Sequence, residues 1–271
     1  MCNGLAVNWR AFFYVYKTRI QKTLAYRFDV YGNIVWQCIV MFATAYFWKA
    51  LYTGYDTVKG VQVEDMMTYT IVSSMMSLFF ITFVEQRVIQ SVEKGTVATD
   101  MLKPIPLFGI YFFEDLGYTT SLIVQNVIPI FIIGSIFIGV PVPYSTSMLL
   151  LFIPSVIMAY MINWLFAACF STWAFTAINM NPMVQVKKHL IRLLSGCIIP
   201  MWFFPEWLSD ILNVLPFVYI YQLPLDIYIG KYEMGILLQK MGIQALWLLV
   251  LWCLFVYLQK RVTKHVLVQG G

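Results

Sequence analysis

Four charge-free stretches constrain the fold of this 271-residue chain more than any other feature of its sequence. Three of them, residues 30–48, 66–84 and 241–259, are 19 residues long, and the fourth, residues 116–186, is 71 residues long. A helix needs roughly 20 apolar residues to cross the hydrocarbon core of a bilayer. The sequence therefore predicts an all-α membrane protein with several spans.

The composition supports this prediction and excludes other classes. Charged residues make up 11% of the chain and hydrophobic residues 61%, whereas a soluble domain usually carries about 25% charged residues. So few charges cannot cover the surface of a soluble globule. The composition excludes a disordered chain, a nucleic-acid module and an ordinary cytosolic enzyme.

The long stretch must hold two spans, because a proline-containing polar turn at residues 141–147 interrupts it. A further, weaker span requires the 13 uncharged residues 193–205 to be extended back to His189. We predict six transmembrane helices, at residues 30–51, 66–86, 117–139, 148–176, 189–204 and 236–259.

Two shorter segments also have a helical pattern. Residues 211–225 are apolar but are interrupted by Pro216 and Pro224, which predicts a short outer re-entrant helical hairpin. Residues 9–27 alternate aromatic and basic side chains at helical spacing. This pattern favours an N-terminal helix lying in the membrane interface over a simple block of positive charge before the first span.

The basic residues predict the orientation. With a cytoplasmic N-terminus, 14 of the 18 Lys and Arg residues fall on the inner side and four on the outer side, as the positive-inside rule requires. An even number of spans places both termini in the cytoplasm. We expect a cytoplasmic segment 1–29 with the interfacial helix, a six-span transmembrane domain 30–260 and a cytoplasmic tail 261–271, in the cell (plasma) membrane.

The sequence contains none of the common catalytic motifs. Its one Gly-Lys pair, Gly230-Lys231, is followed by Tyr232 and does not form a P-loop. The five cysteines include no CxxC pair and there are two histidines, so we expect no catalytic residue, no metal site and no cofactor in this chain.

Acidic residues are scarce in the predicted spans. The adjacent pair Glu114 and Asp115 could be an acid/base dyad, but helical neighbours point about 100° apart and cannot face each other. An acidic entry to the third span at the cytoplasmic surface is the favoured interpretation. The few charges within the predicted spans argue against ion-coupled transport, so any transport would take its energy from another subunit.

Two segments resemble permease subunits of type-2 ATP-binding-cassette (ABC-2) exporters. The inner loop contains Glu93-Lys94-Gly95 followed by Asp100-Met101-Leu102-Lys103-Pro104, which is similar to the coupling region of that family. The stretch from Leu194 through Ile199-Pro200-Met201-Trp202-Phe203-Phe204-Pro205-Glu206-Trp207-Leu208, and then Leu215-Pro216-Phe217 and Leu223-Pro224, resembles the family's segment before and within its outer hairpin.

The resemblance implies a dimeric permease, formed with a second copy or a sister chain, on a separate P-loop ATPase that binds ATP and Mg. It implies coupling to the ATPase through Glu93, Lys94, Gly95, Asp100, Leu102, Lys103 and Pro104. It implies an outer gate formed by Phe203, Phe204, Pro205, Trp207, Pro216 and Phe217.

The expected activity is export of an amphipathic, peptide-, drug- or lipid-like substrate. Two alternatives stay open: an integral-membrane enzyme acting on a lipid, and a non-transporting accessory or immunity protein. The aromatic and methionine content fits an amphipathic cargo and ordinary lipid-facing spans equally well.

Overall fold

The computed structural model describes residues 9–25, 27–55, 57–101, 105–175 and 180–269. In the N-terminal half of this part, the α-helices are α1 (Trp9–Ala25), α2 (Arg27–Leu51), α3 (Val63–Phe79), α4 (Val84–Glu93), α5 (Val97–Met101), α6 (Leu107–Leu122) and α7 (Ile128–Phe137). In the C-terminal half they are α8 (Thr146–Ser171), α9 (Asn181–Leu194), α10 (Glu206–Val214), α11 (Gln222–Tyr228) and α12 (Met234–Gln269).

Short elements complete the chain. A two-residue strand, Thr57–Val58, pairs antiparallel with Val61–Gln62 in the loop between α2 and α3. Turns of 3₁₀ helix occupy Thr172–Phe175 and Met201–Phe203. The described chain is therefore almost entirely helical, as the sequence predicts.

Five helical segments of the described chain are long and apolar enough to cross a membrane: Val30–Leu51, Val63–Glu93, Leu107–Phe137, Thr146–Phe175 and Met234–Val262. Each contains most of one predicted span. A multi-pass helical membrane protein is confirmed, whereas a total of six spans is not.

The predicted fifth span, residues 189–204, is not one continuous helix. Helix α9 ends at Leu194, and Gly196 follows with a left-handed φ of +84° that favours glycine. Pro200 then precedes the 3₁₀ turn and has no N–H to continue a helical ladder. These two residues explain why the apolar pattern of this segment does not give a span-length helix.

The third span contains a π-helical turn at Ile123–Val127. Pro129 lies at the start of α7 and lacks the N–H that would bond to the carbonyl of Gln125. The wider turn accommodates this missing hydrogen bond, and the span continues to Phe137.

Helix α8 lies at the centre of the bundle and packs against α4, α11 and α12. Ala159, Ala167 and Ala168 are buried along it. Small side chains let neighbouring helices approach closely, which stabilises helix packing in a bilayer.

The N-terminal helix α1 packs along α6 in the same direction. The ring of Phe12 stacks on Phe113 with centroids 4.9 Å apart, and Tyr16 Oη donates to Thr120 Oγ1 at 3.1 Å. Its predicted apolar face is divided, because Phe12 is buried while Trp9 and Phe13 are exposed. The packing on α6 is a contact that the sequence pattern did not show.

Gly117 permits this close approach, because a Cβ atom there would lie 2.7 Å from the backbone oxygen of Tyr16. We expect Gly117→Ala to lower the stability of the protein by about 1–3 kcal/mol, since neither backbone can move without disturbing its helix. Thermal unfolding in detergent measures the effect.

Gly32→Ala is the matched control, because Gly32 is also helical and has no atom within 4 Å of the added Cβ. It should be neutral or stabilising by up to about 1 kcal/mol. Equal melting temperatures for the two variants would contradict the proposed role of Gly117.

Candidate functional site

The second span is broken near its C-terminal end. Helix α3 ends at Phe79 and α4 begins at Val84, so the intervening residues leave the helical ladder. Such a break leaves backbone carbonyls at the end of one helix and N–H groups at the start of the next without helical partners. Inside a bundle, these groups require other partners.

Side chains of two other helices supply those partners. Asn163 Nδ2 of α8 donates to the carbonyl of Phe80 at 2.9 Å. Thr119 Oγ1 of α6 donates to the carbonyl of Phe79 at 3.3 Å. Both bonds tie the end of α3 to neighbouring helices. We call the broken segment 80–83 and the side chains bound to it the joint.

Asp115 holds the other side of the joint. Its carboxylate is 0% exposed and accepts the N–H of Phe83 at 3.2 Å from each oxygen. It also accepts Trp164 Nε1 at 3.1 Å and lies 3.0 Å from Arg87 Nη1. A buried carboxylate with this many donors is a satisfied structural group.

Arg87 extends the joint into α4. Its Nε lies 3.0 Å from Glu114 Oε2, and its Nη1 donates to the carbonyl of Tyr111 at 3.1 Å. Arg87 therefore contacts both carboxylates of the adjacent pair. The sequence placed Glu114 and Asp115 together at the cytoplasmic surface, whereas the structure leaves Glu114 partly exposed and buries Asp115 completely.

A second buried ion pair joins α4 to α9. Lys187 Nζ lies 2.5 Å from Glu85 Oε1, and Glu85 is 0% exposed. The ammonium group also lies 5.8 Å from the ring of Phe166 and 5.5 Å from that of Phe170. Sequence analysis missed this pair, although both residues stand at the ends of charge-free stretches.

The turn that follows α4 is exposed. We call residues 93–96 the inner turn; Glu93, Lys94 and Gly95 are all exposed, and Gly95 has a left-handed φ of +67°. The N–H of Gly95 donates to the carbonyl of Val92 at 3.0 Å. The inner turn thus closes the helix as a short ordered loop.

Asp100 braces the inner turn from the other side. Its Oδ2 accepts Ser91 Oγ at 3.0 Å, and the Ser91 and Thr96 hydroxyls lie 3.2 Å apart. These bonds fix α5 against α4. Of the seven predicted coupling residues, Glu93, Lys94, Gly95 and Asp100 come together here, while Leu102, Lys103 and Pro104 lie outside the described residues.

The predicted outer-gate residues contact two buried clusters. Phe203 stacks on Trp48 with centroids 4.7 Å apart, and both Phe203 and Phe217 pack against the main cluster. Phe204 and Phe217 also pack against a smaller buried cluster of Met201, Leu212 and Val218. Among the other three, Pro216 is buried, and Pro205 and Trp207 are exposed.

Gln222 holds the segment before α10 in place, a role that was not predicted from the sequence. Its Oε1 accepts the N–H of Met201 at 2.9 Å and lies 3.0 Å from the hydroxyl of Tyr69. Its Nε2 donates to Asp226 Oδ1 at 2.6 Å. One buried amide therefore ties this segment to α3 and α11.

Burial raises the pKa of Asp226 to about 7, against the opposing effects of Lys231 and of the hydrogen bond from Gln222. Burial disfavours the charged form of this carboxyl group more than these partners and Lys240 favour it. Asp226 therefore titrates near neutral pH in the folded protein.

No three His, Cys, Asp or Glu side chains come together as a metal-binding group within the part of the chain that the structure describes. The acidic and basic groups at the joint bind one another. Their arrangement suits a mechanical role in positioning α4.

We expect Glu85→Gln and Lys187→Met to each lower stability by about 3–5 kcal/mol, because each leaves a buried charge without its partner. The double variant should recover much of this loss. A double-mutant cycle of melting temperatures tests it, with the exposed Glu233→Gln as the neutral control. Additive losses would show that the two side chains do not interact.

We also expect a pH dependence from Asp226. Its folded-state pKa of about 7 lies above its ordinary value of 3.8, so the folded protein binds the proton more tightly than the unfolded chain. This contribution to stability is full below about pH 4 and is lost as pH rises through about 7.

Asp226→Asn should therefore flatten the decrease in melting temperature between pH 5 and pH 8. Asp210→Asn, at an exposed position of α10, should leave the decrease unchanged. The same slope in the wild type and in Asp226→Asn would rule out the raised pKa.

Comparison with known proteins identifies the family. The family model described as ABC-2 family transporter protein matches residues 38–267, which is most of the chain and includes the joint and the inner turn. Searches of curated proteins and of solved structures gave no match. The family match confirms the resemblance seen in the sequence: the chain belongs to the ABC-2 transporter family and is a multi-pass membrane permease.

Proposed function

We propose that this permease exports an amphipathic substrate, using ATP hydrolysed by a separate P-loop ATPase subunit that docks on the inner turn. The observation that carries the proposal is the exposed turn 93–96 on a helix whose other face is fixed in the bundle. Val88 and Ile89 of that helix are buried, and α4 packs against α8. A rigid, exposed turn suits a docking partner better than a solvated loop does.

The joint gives the turn a mechanical connection to the spans. Force on residues 93–96 acts on α4, and Arg87 and Glu85 pass it to α6 and α9 through buried ion pairs. Asp115 passes it to α8 through Trp164. The ATPase can then move several helices together, without touching the transport pathway.

We infer that α9 and the irregular segment to residue 204 together form a sixth crossing. This crossing gives an even number of spans and places both termini in the cytoplasm, in agreement with the distribution of basic residues. The proposed organisation has a cytoplasmic segment 1–29, whose helix α1 packs along α6, a permease domain 30–260 and a cytoplasmic tail 261–271.

The segment carrying α10 and α11 would be the re-entrant hairpin. Gln244 Nε2 donates to the carbonyl of Tyr219 at 2.9 Å. Gln244 lies ten residues after the start of α12 at Met234, or about 15 Å along the helix. The hairpin therefore reaches well into the bundle. In this proposal Phe203, packed on Trp48, belongs to the outer gate together with the aromatic and proline residues near it.

A lipid-modifying enzyme fits the geometry less well. It would require an accessible acid or nucleophile, yet Asp115 is fully buried and Glu114 is bound to Arg87. In the proposed complex ATP and Mg bind the ATPase, and a second permease, identical or a sister chain, completes the pathway.

Affinity purification of the tagged chain from its native membranes tests the proposal. Proteins that co-purify are identified by mass spectrometry, and we expect one with the G-x-x-x-x-G-K-[ST] motif. Glu93→Arg should reduce its recovery severalfold, because it reverses a charge on the docking turn.

Glu233→Arg is the matched control, with the same charge change at an exposed position before α12. In the proposed topology this position lies on the side of the membrane opposite to the inner turn. It should leave ATPase recovery unchanged. Absence of a P-loop ATPase from the wild-type sample, or equal recovery with both variants, would contradict docking at the inner turn.

A further inference from the structure

A cavity of about 340 Å³ lies beside the joint, between α2, α3, α6 and α9. Phe80, Ile81 and Thr82 of the joint form part of its wall, and Asn163 forms another part. Its volume is within the range of small-molecule sites in proteins. We call it the basic cavity, because one wall is the charged face of α9.

The α9 wall carries an excess of positive charge. Lys187, Lys188 and Arg192 line the cavity, and no acidic side chain is among its described lining residues. Lys187 is paired with Glu85, and the Glu85 carboxylate also interacts electrostatically with Lys188. Neither Lys188 nor Arg192 forms an ion pair with any described residue, so a net charge of two remains on this wall after the Glu85 pair is counted.

The opposite wall is largely apolar. Trp36 of α2, Leu78 and Ile81 line it, and Leu122 of α6 extends it. Asn33 and Gln37 supply uncharged polar groups between the two walls. A site with a charged end and an apolar side is suited to an amphipathic molecule.

Further space continues from this cavity in two directions. A cavity of about 120 Å³ shares Gln37, Ser77 and Arg192 with it and runs along the hydroxyl groups of α2 and α3. Another, of about 230 Å³, shares Asn33 and is lined by the basic residues Arg19 and Lys22 of α1. The cationic character therefore extends beyond α9.

We propose that the basic cavity binds a single-chain amphiphile with an anionic headgroup, a phosphate or a carboxylate. Lys188 and Arg192 bind the headgroup, and the chain lies along Trp36, Leu78 and Ile81. This inference rests on the proposed function and names the substrate class of the exporter. Lys188 is half-buried and Arg192 is exposed at the cavity wall, so both side chains can reach a bound anion, which supplies the counter-charge that the described lining residues lack.

Arginine suits this role because its planar guanidinium can bond two oxygens of a phosphate or carboxylate at once. Such an anionic group can come from free inorganic phosphate or from an amphiphile, and the apolar wall distinguishes between these two ligands. Free inorganic phosphate would use only the α9 wall, whereas an amphiphile would use both walls and bind more tightly.

Equilibrium binding of radiolabelled dodecyl phosphate tests the proposal. The full chain is placed in nanodiscs of zwitterionic phosphatidylcholine, without an ATPase, so that the result does not depend on docking. We expect saturable binding that unlabelled dodecyl phosphate displaces. Displacement by inorganic phosphate should need at least a hundredfold higher concentration, and dodecyltrimethylammonium should not compete.

The double variant Lys188→Gln, Arg192→Gln should weaken binding at least tenfold. The matched control is Arg10→Gln, Lys17→Gln, which removes two exposed positive charges from α1 and should leave binding unchanged. Each single variant of Lys188 and Arg192 should weaken binding severalfold, which keeps the test valid if the double variant fails to fold.

Three results would overturn the inference: no saturable binding to the wild type, equal binding to the Lys188 and Arg192 variants, or equal competition by the cationic amphiphile. Any of these results with normal recovery of the ATPase would reject the substrate class alone. Binding of dodecyl phosphate without ATPase recovery would reject the proposed function and retain the site.

Discussion

The Asp115 carboxylate is the group on which the broken end of the second span depends. It accepts the backbone N–H of Phe83, bonds the indole of Trp164 and pairs with Arg87. Without it, the start of α4 would have an unpaired N–H, and the half-buried guanidinium of Arg87 would lose one of its two carboxylate partners. Both changes are costly in an apolar interior. One side chain of α6 thus allows the second span to break while remaining fixed to two other helices.

The break has two consequences that connect the proposed activities of the chain. It lets α4 leave the line of α3 and present the inner turn. It also opens the backbone at Phe80–Thr82, which forms part of the wall of the basic cavity. The proposed ATPase contact and the proposed substrate site are therefore on either side of the same joint.

The sequence predicted those parts of the fold that depend on hydrophobic length and charge position. The charge-free stretches predicted the five helical segments that are long enough to cross a membrane, and the motif around Glu93 helped to predict the family. The fifth span was predicted from apolar content alone, and the φ of Gly196 and the missing N–H of Pro200 interrupt it.

The joint could not be predicted, because Asp115 and Arg87 are far apart in sequence and the burial of such charged side chains depends on tertiary packing. For the same reason the sequence does not show that the basic residues of α9 line one cavity with residues of α2 and α3.

In the proposed mechanism the inner turn and the bundle move as one body under the ATPase. Pulsed electron–electron spin resonance tests it most directly, with labels at the exposed positions Lys94 and Lys260 of a single permease copy in the assembled complex. Helix α5, which follows the inner turn, contacts α12. The account predicts the same narrow distance distribution with and without ATP, because the joint holds α4 rigidly. A distribution that shifts or broadens when ATP binds would contradict it, because the turn would then move independently of the spans.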